Sequence, residues 1–234
     1  MLHLGVFMAT KKSVSKPISY FYNPFYKGTS ELSYVEVWQV LEDEVLGKLY
    51  PWQYTVGASA SKRIEALNFI ALSQYEKDTA KFPKVKFIYK LSTRLLEENN
   101  IQRLRGFVSD GLILCFDIYN LEKMGEKDAM MGLNFLIKAG AHIMIEGIAR
   151  APIELLTKYP AEYFLLDYRY YNEGNMGVLA MVKHLADNQG IRLAVCNVNN
   201  DINIKMFTDI GIDVLSGSAL VKPRKRLDNI MGVK

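Results

Sequence analysis

The sequence lacks several patterns by which common classes of protein are identified. Its three histidines, His3, His142 and His184, show no metal-ligand spacing, so a zinc site is not expected. There is no glycine-rich phosphate loop and no G-x-S-x-G nucleophile motif. No apolar run approaches the ~20 residues that a membrane-spanning helix needs, so we expect no membrane insertion. The two cysteines, Cys115 and Cys196, lie inside apolar runs and are predicted to be buried, reduced thiols.

The charge of the chain is also modest. A formal net charge of +4 over 234 residues does not by itself imply binding of a nucleic acid polymer. We interpret the basic run Lys222–Arg226 as a solvated segment, with a nucleic-acid patch as the alternative. At the N-terminus the charges follow the apolar residues, which is the reverse of a secretory signal. We therefore expect a cytoplasmic protein with a flexible arm at 1–16, one domain at 17–228 and a tail at 229–234.

The middle of the chain contains two apolar runs that each end in a carboxylate. His142–Ile145 leads into Glu146, Tyr163–Leu166 leads into Asp167, and the segment between them, Pro152–Tyr159, has a helical pattern. This arrangement predicts a strand–helix–strand unit of a parallel sheet. Ligands and chemistry lie at the carboxyl ends of such strands.

Similar runs along most of the chain predict strands that alternate with helices. The predicted strands are Ile18–Tyr22 (ended by Asn23-Pro24), Tyr34–Trp38, Val85–Tyr89, Leu112–Ile118, His142–Ile145, Tyr163–Leu166, Ile191–Val195 and Ile212–Leu215. The predicted helices are Leu41–Leu49, Trp52–Lys77, Thr93–Arg103, Glu126–Lys138, Pro152–Tyr159, Asn175–Gln189 and Asn200–Ile210. About eight such units favour an α/β fold, a TIM-like (β/α)₈ barrel, with an open doubly wound sheet as the alternative. No helix separates the first two strands, so we expect an irregular first strand, with an antiparallel orientation as one form of it.

Polar side chains follow the predicted strands at the end where a barrel would carry its active site. They are Glu36, Lys90, Asp117 or Asn120, Glu146, Asp167, Cys196, Asn197, Asn199 and Ser216. An acidic cluster of this kind can hold divalent cations through oxygen ligands. The alternative for each residue taken alone is a solvated side chain near a loop.

In their order these motifs resemble those of the EAL domain, the cyclic-di-GMP phosphodiesterase barrel of bacterial signalling, from about Ile18 to Pro223. Tyr22-Asn23-Pro24 is similar to the family's Tyr-Gln-Pro, and Val35-Glu36-Val37-Trp38 to its Val-Glu-Ala-Leu. Lys90-Leu91-Ser92 is similar to Asn-Leu-Ser, and Asp117-Ile118-Tyr119-Asn120 to Glu-Ile-Thr-Glu.

The second half of the chain continues the resemblance. Glu146-Gly147-Ile148-Ala149 is similar to the family's Asp-Asp-Phe-Gly, Leu165-Leu166-Asp167 to Lys-Ile-Asp, and Val195–Asn199 to Ala-Glu-Gly-Val-Glu. Ser216-Gly217 is similar to Gln-Gly, and Lys222-Pro223 to the Lys-Pro that closes the domain.

The departures from the family concern the metal site that the resemblance implies. Active members hold two Mg²⁺ or Mn²⁺ ions mainly through carboxylates, and a lysine helps them to activate the attacking water. Only Glu36, Glu146 and Asp167 keep an acid in this chain. The other positions are Lys90, Asn120, Gly147 and Cys196 for metal ligands, Leu165 for the lysine, Ser216 for the glutamine and Val40 for an arginine that grips phosphate.

The resemblance therefore implies a degenerate member with no catalytic residues, no metal and no cofactor. Its vestigial site would comprise Glu36, Lys90, Asn120, Glu146, Asp167, Cys196 and Ser216. Too few anionic oxygens remain for two divalent ions in near-octahedral order. Mg²⁺ or Mn²⁺ would be relevant only to an active phosphodiesterase, with Glu36 and Glu146 as ligands.

The position of Lys90 leads to a more specific hypothesis. Two carboxylates that face each other in a barrel mouth repel and need a positive charge. We predict that the Lys90 ammonium lies between Glu36 and Glu146, within the ~4 Å limit of an ion pair. The alternative is that Lys90 extends outward into solvent.

Three functions follow, in order of preference. The first is a catalytically inactive regulatory module that binds a protein partner or forms a homodimer, for which Tyr168, Arg169, Tyr170 and Tyr171 are candidate surface contacts. The second is a receptor that binds cyclic-di-GMP weakly without hydrolysing it, with Asn23, Asp167 and Ser216 as candidate contacts. The third is an active phosphodiesterase with an altered metal set.

Overall fold

The apolar runs of the sequence form a sheet that closes on itself. A computed structural model of the chain describes residues 18–43, 47–51, 53, 62–171 and 176–231. Its strands are β1 (Ile18–Lys27), β2 (Glu31–Asp43), β3 (Gly47–Leu49), β4 (Phe87–Lys90), β5 (Leu112–Asp117), β6 (His142–Glu146), β7 (Tyr163–Asp167), β8 (Arg192–Cys196) and β9 (Val214–Leu215). Their order is β1-β9-β8-β7-β6-β5-β4-β2-β3, and the pairing of β1 with β2 closes the barrel.

The direction of the strands confirms the predicted TIM-like barrel and excludes the open sheet. Each neighbouring pair from β2–β4 through to β8–β9 is parallel. The first strand, β1, is antiparallel to both of its barrel neighbours, β2 and β9. The carboxyl ends of the parallel strands therefore meet at one end of the barrel, which we call the mouth.

Helices cover the outside of the barrel. They are α1 (Lys62–Lys81), α2 (Glu98–Arg105), α3 (Ile118–Met124), α4 (Glu126–Lys138), α5 (Ile153–Leu156), α6 (Met176–Gln189), α7 (Asp201–Asp209) and α8 (Asp228–Met231), and short 3₁₀ helices lie at Thr93–Leu96, Ile148–Arg150 and Tyr168–Tyr170. The larger apolar core lies between helices and strands, and a smaller one fills the barrel. Burial on both faces explains why the parallel strands read as uninterrupted apolar runs.

Side chains of β1 alternate between the barrel interior and the helix layer, as the pleat requires. The Tyr22 hydroxyl reaches Asp78 on α1 at 2.9 Å, so the even-numbered residues face outward. Asn23 and Phe25 face inward, because Asn23 contacts Glu36 and Phe25 packs in the barrel core. By the same alternation Phe21 lies on the inward face, on the mouth side of Asn23.

β1 continues through Asn23-Pro24, where the sequence predicted its end. The Tyr22 N–H donates to the Arg224 carbonyl at 2.7 Å and the Arg224 N–H donates to the Tyr22 carbonyl at 2.9 Å, on the side away from β2. Because backbone groups alternate in direction along an antiparallel strand, the missing N–H of Pro24 would also point away from β2. The ladder with β2 therefore loses no hydrogen bond at the proline.

The helix predicted at Leu41–Leu49 is wrong. Leu41–Asp43 ends β2 and Gly47–Leu49 forms β3, and the two pair antiparallel with Leu41 opposite Leu49. Gly47 has a φ of 70°, which a glycine adopts without strain. Strand pairing here overrides the local helical pattern.

The helix predicted at Thr93–Arg103 is divided in two. Ser92 caps the 3₁₀ helix Thr93–Leu96, and Glu97, with φ −66° and ψ 149°, then interrupts the helix before α2 begins. The strand predicted to reach Ile118 ends one residue earlier, because the Asp117 carboxylate accepts from the Asn120 N–H and caps α3.

Other boundaries differ less. The helix at Glu126–Lys138 is confirmed, and that predicted at Pro152–Tyr159 is the short α5. The predicted arm at 1–16 lies outside the described residues, whereas 229–231 of the predicted tail belong to α8.

Cys115 and Cys196 are buried and unpaired, as predicted. Among the described helices, none has both the length and the apolarity needed to cross a membrane.

Candidate functional site

A cavity of about 650 Å³ opens at the mouth of the barrel. Six of the seven predicted site residues line it: Glu36, Lys90, Asn120, Glu146, Asp167 and Cys196. The seventh, Ser216, is fully buried and bonds to Asn23, which lines the same cavity. The strand ends therefore bring together the residues that the motif order indicated, whereas Asn199, outside the lining, bonds to Asn203 on α7.

The Lys90 ammonium lies between two carboxylates, as the sequence predicted. Its Nζ is 3.0 Å from Glu36 Oε1 and 2.7 Å from Glu146 Oε2. The Lys90 side chain is 23% exposed, so the pair is largely shielded from water. Burial alone would lower the pKa of Lys90, but Glu146 and Glu36 hold it well above its ordinary value. The amine is therefore a fixed positive charge and not a base.

Glu36 is held from its other side by a buried polar chain. Asn23 Nδ2 donates to Glu36 Oε2 at 2.9 Å, and the Ser216 hydroxyl donates to Asn23 Oδ1 at 3.0 Å. All three residues are buried, so each hydrogen bond removes a desolvation penalty. Both oxygens of Glu36 thus have partners within the barrel.

Gly147 stands at the position where the resemblance leads us to expect the second of two aspartates. It has a φ of 83°, and a Cβ built there would lie 2.9 Å from Asp117 Oδ2. The backbone conformation and the close carboxylate both make a larger residue unfavourable at this position. Asp117 itself caps α3 and lies 3.7 Å from Arg150 Nη2.

Asp167 is held by Arg169, two residues further along the chain. Arg169 Nε lies 3.0 Å from both Asp167 oxygens. Burial raises the pKa of Asp167, but the hydrogen bonds from Arg169 and Asn197 outweigh it and lower the pKa below its ordinary value. Asp167 is therefore an ionised partner of a guanidinium.

The thiols beside Lys90 are poor substitutes for carboxylates. Burial raises the pKa of both Cys115 and Cys196 well above the usual range of a thiol. Each thiol is consequently protonated at neutral pH. Because only the thiolate form binds metal, these protonated thiols do not replace a carboxylate ligand.

These donors do not fit a pair of divalent ions. Each of the four acids at the mouth already has a cationic partner: Glu36, Glu146, Asp117 and Asp167. Within the described residues, no three acidic, cysteine or histidine side chains are grouped as a metal site. The Lys90 nitrogen lies where a cation shared by Glu36 and Glu146 would have to lie.

The rim contains residues that the sequence did not reveal as part of the site. Trp38 on β2, Tyr119 on α3 and Arg150 line the cavity, and the Arg150 guanidinium lies 5.6 Å from the ring centres of both Tyr119 and Tyr170. Such contacts depend on where the loops fold over the mouth, which spacing along the chain does not show.

The predicted surface group Tyr168–Tyr171 is only partly at the surface. Tyr170 is 42% exposed, but Tyr171 is 2% exposed and packs in the core between barrel and helices. The prediction of an exposed Tyr171 is therefore wrong, because its side chain packs into the core directly after the 3₁₀ helix Tyr168–Tyr170. Arg169 is exposed but is tied to Asp167.

The barrel has the fold of EAL domains. It matches the EAL enzyme Bd1971 in its cAMP- and cyclic-di-GMP-bound form with a TM-score of 0.78 and 14% identity, over 93% of this chain and 65% of that chain. The match to PaMucR phosphodiesterase in complex with c-di-GMP has a TM-score of 0.76 and 16% identity, over 91% and 94%. The FimX EAL domain from Pseudomonas aeruginosa, bound to c-di-GMP, matches with a TM-score of 0.76 and 14% identity, over 90% and 92%. The sequence matches no family model and no curated protein.

Proposed function

We propose that this chain is a catalytically inactive EAL-fold domain that regulates a bacterial signalling pathway by binding a protein partner or a second copy of itself. The observation that carries this proposal is the Lys90 ammonium, 3.0 Å from Glu36 and 2.7 Å from Glu146 at the floor of the mouth. An internal cation there takes the role that a metal ion would have between the two acids.

Phosphodiester hydrolysis by two metal ions needs a clamp on both the attacking and the leaving oxygen. Lys90 repels a divalent cation and keeps both carboxylates occupied. Leu165 is apolar and buried where the resemblance leads us to expect an ammonium. Removal of one electrostatic contributor of that kind typically lowers the rate by ~10²–10³. Several such losses together support a binding role instead of a catalytic one.

A non-hydrolysing receptor for cyclic-di-GMP is the second candidate. The cavity of about 650 Å³ has the size of a small-molecule site. Bd1971, PaMucR and FimX, which have this fold, have each been solved with that dinucleotide bound. Against this candidate, Val40 is fully buried and apolar where the resemblance leads us to expect a phosphate-binding arginine.

Isothermal titration calorimetry separates the two candidates. The purified chain is titrated with cyclic-di-GMP, with and without Mn²⁺, and PaMucR phosphodiesterase serves as the positive control. No heat from either titration supports the partner-binding module. Micromolar binding without product formation would support the receptor instead of the partner-binding module. Product formation would contradict both candidates.

A further inference from the structure

We propose that the rim of the mouth binds an acidic segment of a protein partner through three lysines, Lys48, Lys123 and Lys225. This inference rests on the proposed function, because it names the chemistry of the partner. It identifies a group of exposed lysines beside a site in which each acid has a cationic partner.

The three rim lysines are exposed and carry unbalanced charge. In the part of the chain that the structure describes, none of them forms an ion pair. Glu42 lies opposite Lys48 in the β2–β3 ladder but makes no ion pair with it. By contrast, every acid on the floor of the mouth has a cationic partner. An approaching anion therefore meets ammonium groups that form no ion pair, with the exposed Glu42 beside Lys48, and behind them acids that each have a cationic partner.

Two of these lysines lie over one aromatic ring. Lys48 Nζ is 5.9 Å and Lys225 Nζ is 5.8 Å from the centre of the Phe21 ring. Phe21 is paired with Trp38 across β1 and β2, and Trp38 lines the cavity. The two ammonium groups therefore lie next to the mouth.

Lys123 extends the positive charge to another part of the rim. It lies on α3 and lines the cavity directly. The helix α3 follows β5, whereas Lys48 is part of β3 and Lys225 lies beside β1. The positive charge therefore spans the mouth and is not confined to one loop.

The shape and composition of the rim favour a polypeptide over a bilayer, and a nucleic acid is treated as a separate outcome of the test. A concave mouth does not fit a flat lipid surface. The aromatic and arginine residues that line it, Trp38, Tyr119, Tyr170 and Arg150, are the types enriched in the energetic centres of protein interfaces. Surface cations around such a centre attract an acidic partner and set its orientation.

Fluorescence anisotropy with defined probes tests this proposal. The probes are a labelled glutamate-rich peptide, a glycine-serine peptide of equal length, oligothymidylate of equal charge, and vesicles of phosphatidylglycerol and phosphatidylcholine. The full chain should bind the glutamate-rich peptide most tightly, and binding should weaken with salt because exposed charges are screened.

The variant Lys48→Glu/Lys225→Glu should weaken peptide binding about tenfold or more at low salt. Lys84→Glu/Lys138→Glu is the matched control, because it changes the net charge by the same amount at the opposite end of the barrel. This control variant should bind the peptide as tightly as the wild type does. Lys48→Gln/Lys225→Gln should give an intermediate loss.

Equal losses in the two glutamate variants, or tighter binding of oligothymidylate or vesicles, would overturn the acidic-partner proposal. Hydrolysis of cyclic-di-GMP by the same preparations is measured separately. Turnover would contradict the inactive module while the peptide data still decide whether the rim binds acidic chains.

Discussion

Replacement of Lys90 by methionine should destabilise the protein and at the same time create an affinity for divalent cations. Methionine keeps most of the length of the side chain but removes its charge. Glu36 and Glu146 would then face each other without the ammonium that now lies 3.0 and 2.7 Å from them.

The size of the effect follows from the burial of the two acids. Loss of one partner from a buried ion pair destabilises a protein by ~3–5 kcal/mol. The Glu36 side chain is 3% exposed, but that of Glu146 is 26% exposed, so water can reach one of the two carboxylates. We therefore expect a loss of about 3 kcal/mol in the free energy of unfolding, at the lower end of that range.

Urea denaturation of wild type and variant measures this loss. Lys86→Met is the control, because Lys86 precedes the same strand and pairs at 3.7 Å with Asp110, which is 89% exposed. An exposed pair of this kind contributes little to stability, so Lys86→Met should leave the free energy of unfolding nearly unchanged.

The effect of Mn²⁺ on stability then shows whether Lys90 acts as an ion-pair partner of the two carboxylates or only as a packed side chain. A Mn²⁺ concentration ~100-fold above its dissociation constant would restore about 2.7 kcal/mol to the Lys90→Met variant. The wild type should gain little, since its ammonium already lies between the two carboxylates. The reasoning is refuted if the variant is as stable as the wild type, or if Mn²⁺ stabilises both proteins equally.

Three further outcomes follow from the same geometry. Asn23→Leu leaves a buried oxygen of Glu36 without its donor and should lower the free energy of unfolding by about 2 kcal/mol, as seen in thermal or urea denaturation. Gly147→Asp should not create Mn²⁺ binding by calorimetry, and the positive φ and the contact with Asp117 should destabilise the protein by ~1–3 kcal/mol. Asp167 has a folded-state pKa below its ordinary 3.8, so its stabilising contribution is complete above the ordinary pKa and is lost as the pH falls through the lower folded-state pKa. The stability difference between wild type and Asp167→Asn should therefore be constant near neutral pH and shrink as the pH is lowered through and below 3.8 in urea denaturation.

The barrel could be predicted from the sequence because its parallel strands are buried on both faces. The residues of β5 from Leu112 to Phe116 are all buried, so the strand appears as one apolar run. The β2–β3 hairpin could not be predicted in this way. Glu42 and Lys48 are exposed, and their pairing depends on contacts across the turn and not on periodicity.

The ion pair of Lys90 was predictable because two carboxylates at converging strand ends favour a positive charge between them. The role of Asn23 was not, because it depends on the register that places it opposite Glu36. Its other partner, Ser216, is 193 residues away in the chain. Hydrogen bonds over such separations follow from the closure of the barrel, which sequence spacing does not encode.

The most direct test of the account is a hydrolysis assay with cyclic-di-GMP and Mn²⁺, in which the protein is in excess over the dinucleotide. The Glu36→Ala variant reports any contaminating activity. If Lys90 replaces the metal ions, wild type and variant should give the same background signal. Linear or mononucleotide product that forms with the wild type and disappears with Glu36→Ala would contradict the account.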